Sequence, residues 1–248
     1  KLFYSPIHGF IHKVLVVAHE VGVWDQLEFV PVYPVKDGYS IAAINPLHKV
    51  PTLALDDGTV LYGSQAVVEY LDSLSTTGQR LYPAEGPARW DAVRRLALAD
   101  TLFEVTVVMA LESLEQPPRE MVFKWNWAKV VRAVDQMEED AAKGFASFDI
   151  GQASALHGLS YLDRQTRRGL HTPVPEVGDW RDGRPALPAW WEQAIQRPSV
   201  LSHLDIEYEG EDSAEFCQSK VAEVLRAQGK PAPDSPVPVP VDFVPPGN

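Results

Sequence analysis

The sequence predicts a small mixed α/β domain followed by an all-helical one. Three observations carry this. Short β-rich runs alternate with helical stretches over residues 1–75. Asp56-Asp57-Gly58 stands between two apolar runs as a hairpin turn. From residue 88 onward the hydrophobic period is helical throughout. A chain of 248 residues suits one large domain or two modest ones.

Taken in order, Lys1 to Tyr4 is an apolar run stopped by Ser5-Pro6 and forms a first strand. Phe10, Val14, Val17 and Val21 then recur at helical spacing and give one buried stripe. Leu27 to Val32 is β-rich but holds Pro31. Proline has no N–H to give a ladder, so this strand belongs at an edge or the proline at a strand end. Ile41 to Asn45 reads as a short helical piece ended by Pro46. Val50 to Leu55 and Val60 to Tyr62 flank the Asp-Asp-Gly turn, and Ser64 opens a helix with Val67, Val68 and Leu71 apolar. The resulting β-α-β-α-β-β-α order needs a single sheet with helices packed against it.

Thr76-Thr77-Gly78 and Tyr82 to Pro87 have the composition of a linker. Arg89 to about Glu115 is one long helix, and its middle, Leu96 to Leu111, is apolar almost all round. Such a helix needs cover on every side, from a bundle or from a second subunit. Within it, Asp100 and Glu104 are like charges four apart, which asks for a cleft or subunit boundary nearby. From Arg119 to Lys143, the positions Phe123, Trp127, Val130, Val134, Met137 and Ala141 make a coiled-coil-like seam against the first helix. Asp149 and Gln152 have the spacing of a capping box, with Asp149 accepting from the Gln152 amide and Gln152 reaching back to the Asp149 amide. A further helix starts at Leu187 and stops by Pro198, and Ser213 to Gln228 has the pattern of a tail helix. The proline-rich stretch from Lys230 to Asn248 is expected to be extended.

Composition narrows the function. Acidic residues number 34 against 22 basic, a net charge of −12, which opposes nucleic-acid and anionic-membrane partners. One small anionic ligand in a locally basic notch is compatible with that charge. A single cysteine, Cys217, allows neither an internal disulfide framework nor a cysteine-based zinc site, and fits a reducing, cytoplasmic setting. No apolar run reaches the ~20 residues of a membrane span, and the visible start lacks the layout of a signal peptide. His8 and His12 are four apart, but no glutamate stands beside either as in a zinc-hydrolase helix. No metal is expected.

Four stretches together resemble the cytosolic glutathione transferase family over roughly residues 1–200. They are Leu2-Phe3-Tyr4-Ser5-Pro6-Ile7-His8-Gly9-Phe10; Asn45-Pro46-Leu47-His48-Lys49-Val50-Pro51-Thr52-Leu53; Leu61 to Leu71, with Gly63-Ser64-Gln65; and Asp179-Trp180-Arg181 through Trp190-Trp191 to Arg197-Pro198-Ser199-Val200. The second and third at this spacing are the more specific pair. The resemblance implies a thioredoxin-like N-terminal domain (1–75), an all-helical C-terminal domain (88–200), and a homodimer, with residues 201–248 as a tail. It implies glutathione as co-substrate and conjugation of its thiolate to a hydrophobic electrophile, a detoxifying activity. A non-catalytic carrier or partner-binding protein of the same fold, and a glutathione-dependent isomerase or lyase, are the other readings.

The resemblance also assigns residues. Val50-Pro51 resembles the family's cis-proline turn, whose backbone pairs with the cysteinyl part of glutathione like an added strand. Ser64, at a helix start, stands where the family binds the γ-glutamyl carboxylate. Gly63 replaces the usual Glu or Gln, so one polar contact is expected to be missing. His48 and Lys49 are positioned for the glycine carboxylate, with His48 where glycine is common. The glutathione thiol is largely protonated at neutral pH, so the site must stabilise the thiolate. Alignment leaves Tyr4, His8 and Ser5 open as the activating residue. With neither Ser nor Cys at His8's position, a cysteine-type mechanism is disfavoured. The acceptor is expected against Ile7, Phe10, Phe103, Val107 and Leu111.

Overall fold

A computed structural model describes residues 1–5, 9–32, 41–112, 118–167 and 178–201. These fall into two compact units, 1–78 and 79–201.

The first unit is built on a four-stranded sheet: β1 (Leu2–Tyr4), β2 (Phe29–Pro31), β3 (Thr52–Ala54) and β4 (Val60–Tyr62), in the order β2-β1-β3-β4. β1 pairs parallel with β2, and β3 runs antiparallel to both β1 and β4. The parallel pair is joined through α1 (Phe10–Glu20), as a crossover connection requires. Pro31 does lie on an edge strand, where its missing N–H leaves no ladder bond unmade. The hairpin closes as its residues dictate: Leu55 N donates to Thr59 O (2.8 Å) and the Thr59 amide donates to Asp57 Oδ1 (2.8 Å). With α2 (Ser64–Ser73) after β4, this is the thioredoxin-like arrangement.

One expected element is smaller than the sequence suggests. Residues 41–45 make a single turn, held by Asn45 N to Ile41 O (2.7 Å), and no helix. Pro46 follows at once and removes the next donor, so the turn cannot propagate. α1 is buried from Ile11 to Ala18, on every side and not along one stripe. The end of the unit is strapped back onto α1, with Thr76 N donating to Val21 O (2.9 Å) and Thr76 Oγ1 to Gly22 O (2.8 Å). Gly22 has φ +72°, and a Cβ there would meet Thr76 Oγ1 at 2.5 Å, so both its conformation and the close strap require glycine.

The second unit comprises α3 (Gly86–Glu112), α4 (Glu120–Lys143), α5 (Ile150–Arg167), α6 (Ala186–Ala194) and the short α7 (Pro198–Leu201). The predicted seam of α4 forms: Phe123, Val130, Val134 and Met137 are buried in a core with Leu102, Met109, Leu159 and Leu162, and Trp127 and Ala141 pack against it. Pro198 opens α7 and does not end α6, which stops at Ala194; proline fits a first helical turn because its N–H would be an orphan there. α3 is covered less completely than its composition asks. Glu104, Val108 and Leu111 are exposed, while Asp100 is buried.

The capping box is half realised. Asp149 Oδ1 accepts from the amides of Gly151 (2.9 Å) and Gln152 (3.2 Å), but Gln152 Nε2 donates to Ser147 O (2.7 Å) and does not turn back to the Asp149 amide. The glutamine carries donors as well as an acceptor, and here a donor satisfies a loop carbonyl. Asp149 Oδ2 also takes the Arg95 guanidinium at 2.6 Å, tying the start of α5 to α3. The expected tail helix and proline-rich end lie outside the described residues.

Candidate functional site

Strand directions bring three segments to one end of the sheet. β1 ends at Tyr4-Ser5. β3, antiparallel to it with Phe3 opposite Thr52, starts just after Lys49-Val50-Pro51. β4, with Tyr62 opposite Thr52, ends at Gly63-Ser64. The glutathione-binding positions expected from sequence, together with Tyr4 and Ser5, are therefore assembled by register alone, although they span sixty residues of chain.

The Val50–Pro51 peptide bond is cis. The preceding turn is held by a buried polar knot that the sequence reading did not assign. Asn45 Nδ2 donates to Lys49 O and to Thr52 Oγ1, both at 2.9 Å, and Thr52 Oγ1 donates to Lys49 O at 2.8 Å. Asn45 Oδ1 accepts from the Leu47 amide at 2.9 Å. Both Asn45 and Thr52 are fully buried. Their side chains satisfy each other and the turn, and none of these bonds uses the Val50 amide. The signal was present in Asn45-Pro46, since Asn bonds readily to backbone two residues on. His48 has φ +53°, which explains why a glycine suits this position, and it is half-buried beside an exposed Lys49.

α2 begins at Ser64, and Gly63 is its cap with φ +79° and ψ 151°. That backbone region is open to glycine and nearly closed to other residues. Gly63, expected only as a lost polar contact, thus has a conformational reason to be glycine. Ser64 is buried at 7% exposure and follows the cap as the first residue of the helix. Its own N–H is among the first amides of a helix, which have no partner within it. The first turn of α2 carries no acidic side chain, so the partial positive charge of the helix start is not offset there.

The candidates for thiol activation separate by burial. Tyr4 is 2% exposed, its ring edge-on to Phe29 with centroids 5.7 Å apart. Ser5 is fully buried, and its hydroxyl has no hydrogen-bond partner among the described residues. His8 and the acceptor candidate Ile7 lie outside the described residues. Phe10 is half-buried, with Lys13 Nζ 5.4 Å from its ring centroid. In the second unit, Phe103 is buried against His157 and Tyr161 (centroids 4.5 and 4.6 Å), Val107 is half-buried and Leu111 is exposed. Among the described residues no cluster of three or more His, Cys, Asp or Glu side chains has the geometry to hold a metal ion, and no helix is long and apolar enough to cross a membrane.

Comparison with known proteins points to one family. Residues 9–74 match the family described as glutathione S-transferase, N-terminal domain. A glutathione transferase family member from Pseudomonas fluorescens Pf-5, solved with bound glutathione, is 32% identical; the match covers 82% of this chain and 97% of that one, with a TM-score of 0.71. A glutathione S-transferase from Methylobacillus flagellatus KT, also with glutathione bound, is 28% identical over 82% of this chain and 97% of that one, with a TM-score of 0.69. Among curated proteins, glutathione S-transferase F13 of Arabidopsis thaliana is 24% identical over 81% of this chain and 93% of its own length. With strand order, turn and helix start in the expected places, and a relative at 32% identity spanned almost entirely, this chain belongs to the glutathione transferase family.

Proposed function

We propose that the protein binds glutathione at this end of the sheet and conjugates its thiolate to a hydrophobic electrophile. The observation that carries the reading is the convergence of the Lys49-Val50-Pro51 turn and the Gly63-Ser64 helix start on one sheet end. The Pseudomonas fluorescens relative, which holds glutathione in its structure, supports it. The Ser64 hydroxyl and amide receive the γ-glutamyl carboxylate, where the helix start favours an anion. Val50 pairs with the cysteinyl backbone, and Lys49 with His48 meets the glycine carboxylate.

The thiol then lies near the β1–α1 junction. Its proton leaves, the sulfur lone pair attacks the electrophilic carbon, and the leaving group departs with its bonding electrons. Burial of the Tyr4 and Ser5 side chains favours His8, or an amide at the start of α1, as the group that meets the sulfur. The acceptor is a hydrophobic small molecule. The proposal includes a cytoplasmic homodimer with a detoxifying role, consistent with the exposed apolar Val108 and Leu111 on α3.

The burial of Tyr4 and Ser5 also favours a second reading, a carrier that binds glutathione without turning it over. Retention on glutathione resin followed by a chlorodinitrobenzene assay separates the two. Retention with turnover supports the transferase, retention without turnover supports the carrier, and failure to be retained contradicts both.

A further inference from the structure

Glutathione ends, on its γ-glutamyl side, in a zwitterion: a carboxylate and an ammonium on one carbon. A site that grips both needs donors for the first and an acceptor, best a carboxylate, for the second. The first unit supplies the donors. Ser64 is buried at the first position of α2, whose leading amides have no partner within the helix. Among the described residues of this unit, the second requirement is not met.

Topology accounts for this. The site lies where β1 and β4 end and β3 begins. Asp56 and Asp57 sit in the β3–β4 hairpin, at the opposite end of those strands. Glu28, paired with Lys1 at 3.2 Å, stands just ahead of the parallel strands β1 and β2, again at the opposite end. α1 returns the chain to the start of β2 and so carries Glu20 and Asp25 away from the site. On α2 the first turn has no acid, and Glu69 lies about 7.5 Å further along the axis than Ser64. The described charges nearest the site end are cations instead: Lys13 at the start of α1 and Lys49 before the Val50-Pro51 turn. This holds in a chain with 34 acidic residues against 22 basic.

A helix start attracts a carboxylate and repels an ammonium, and no described carboxylate offsets that repulsion here. A Cβ on Gly63, the residue before Ser64, would meet no described atom within 4 Å, so a substituent on the ligand's nitrogen has room on that side. Resting on the glutathione-binding reading above, we propose that the site selects its thiol by the γ-glutamyl carboxylate alone. Its substrate class then includes thiol tripeptides whose γ-acyl end carries no positive charge, desamino or N-acylated, as well as glutathione.

Calorimetry on the full-length chain at pH 7 tests this with four ligands: glutathione, glutaryl-cysteinylglycine (no ammonium), N-acetylglutathione (no positive charge) and 4-aminobutyryl-cysteinylglycine (no carboxylate). A site built to hydrogen-bond a group rejects the analogue that lacks it, and a site not so built does not. The first three are expected to bind within about threefold of one another, and the fourth at least about tenfold more weakly. Loss of more than about threefold with glutaryl-cysteinylglycine, or undiminished binding of 4-aminobutyryl-cysteinylglycine, would overturn the proposal while leaving the glutathione site standing. No saturable heat with glutathione or any analogue would overturn both.

Discussion

Ser64 is buried and is the first residue of α2, one position past the cap. The cap is Gly63, so the Ser64 side chain does not hold the helix start in the way an N-cap serine does. Ser64→Ala is therefore expected to leave the melting temperature nearly unchanged while weakening glutathione binding about tenfold or more, the value of a hydrogen bond to a charged group. Equilibrium dialysis beside a thermal melt reads both. Gly63 makes the opposite prediction. A Cβ there would meet nothing within 4 Å, so Gly63→Ala acts through φ +79° alone. It should destabilise the fold by about 1–3 kcal/mol, measured by urea unfolding. For thiol activation, burial argues that Tyr4→Phe and Ser5→Ala leave the thiol's apparent pKa in the pH–rate profile unchanged. His8→Ala should raise it and lower kcat/KM about tenfold or more, the usual scale of such proton and charge effects. A tenfold loss with Ser5→Ala instead would reassign the role. On stability, Ser5→Ala should be neutral or mildly favourable, because it removes a buried hydroxyl with no partner among the described residues.

Two glycines decide how closely α5 approaches α3. A Cβ on Gly151 would come 2.6 Å from Arg95 Cβ and 2.9 Å from the Ala92 carbonyl oxygen; one on Gly158 would come 2.8 Å from the Ala99 carbonyl oxygen. They are seven residues apart and so share a helix face, and backbone contact on that face leaves nowhere for a methyl group to go. Gly158→Ala is expected to cost about 1–3 kcal/mol through overpacking, despite alanine's better helix propensity. Chemical denaturation tests it, and a stabilised variant would contradict the close approach. The end of α3 and the start of α4 are joined by a different lock. Glu112 is buried, and it accepts from Arg119 Nη2 at 2.6 Å and from the Arg119 amide at 2.7 Å. The Arg119 side-chain hydrogen bonds, with the amide bond second, hold the Glu112 carboxyl down from 4.5 to about 2. A carboxylate depressed on folding stabilises the native state above its unfolded pKa and loses that contribution as pH falls through the folded value. Glu112→Gln should therefore lower the melting temperature at pH 7, and the gap from wild type should close between pH 4.5 and about pH 2. A gap independent of pH over that range would show that the ion pair is not its source.

At the scale of the whole molecule, what was legible in the sequence was whatever periodicity or turn chemistry controls directly. The hairpin at Asp56-Asp57-Gly58, the edge position of Pro31 and the seam from Phe123 to Met137 each follow from a local rule that nothing overrides. Three features needed the third dimension. The 41–45 segment has helical residues but only one turn, because the proline that follows removes the next donor. The Asn45–Thr52 knot joins residues seven apart through a turn whose shape no spacing rule specifies. Gln152 bonds a loop carbonyl that the capping rule does not contain. Of the candidate site, the positions around Pro51 and Ser64 were readable because they flank strands with a fixed register, whereas the burial of Tyr4 and Ser5 depends on packing around them. If this register builds a glutathione site, isothermal titration calorimetry gives saturable one-to-one heat with the wild type and about tenfold weaker binding with Ser64→Ala; no saturable heat with millimolar glutathione, or identical isotherms for the two proteins, would mean that it does not.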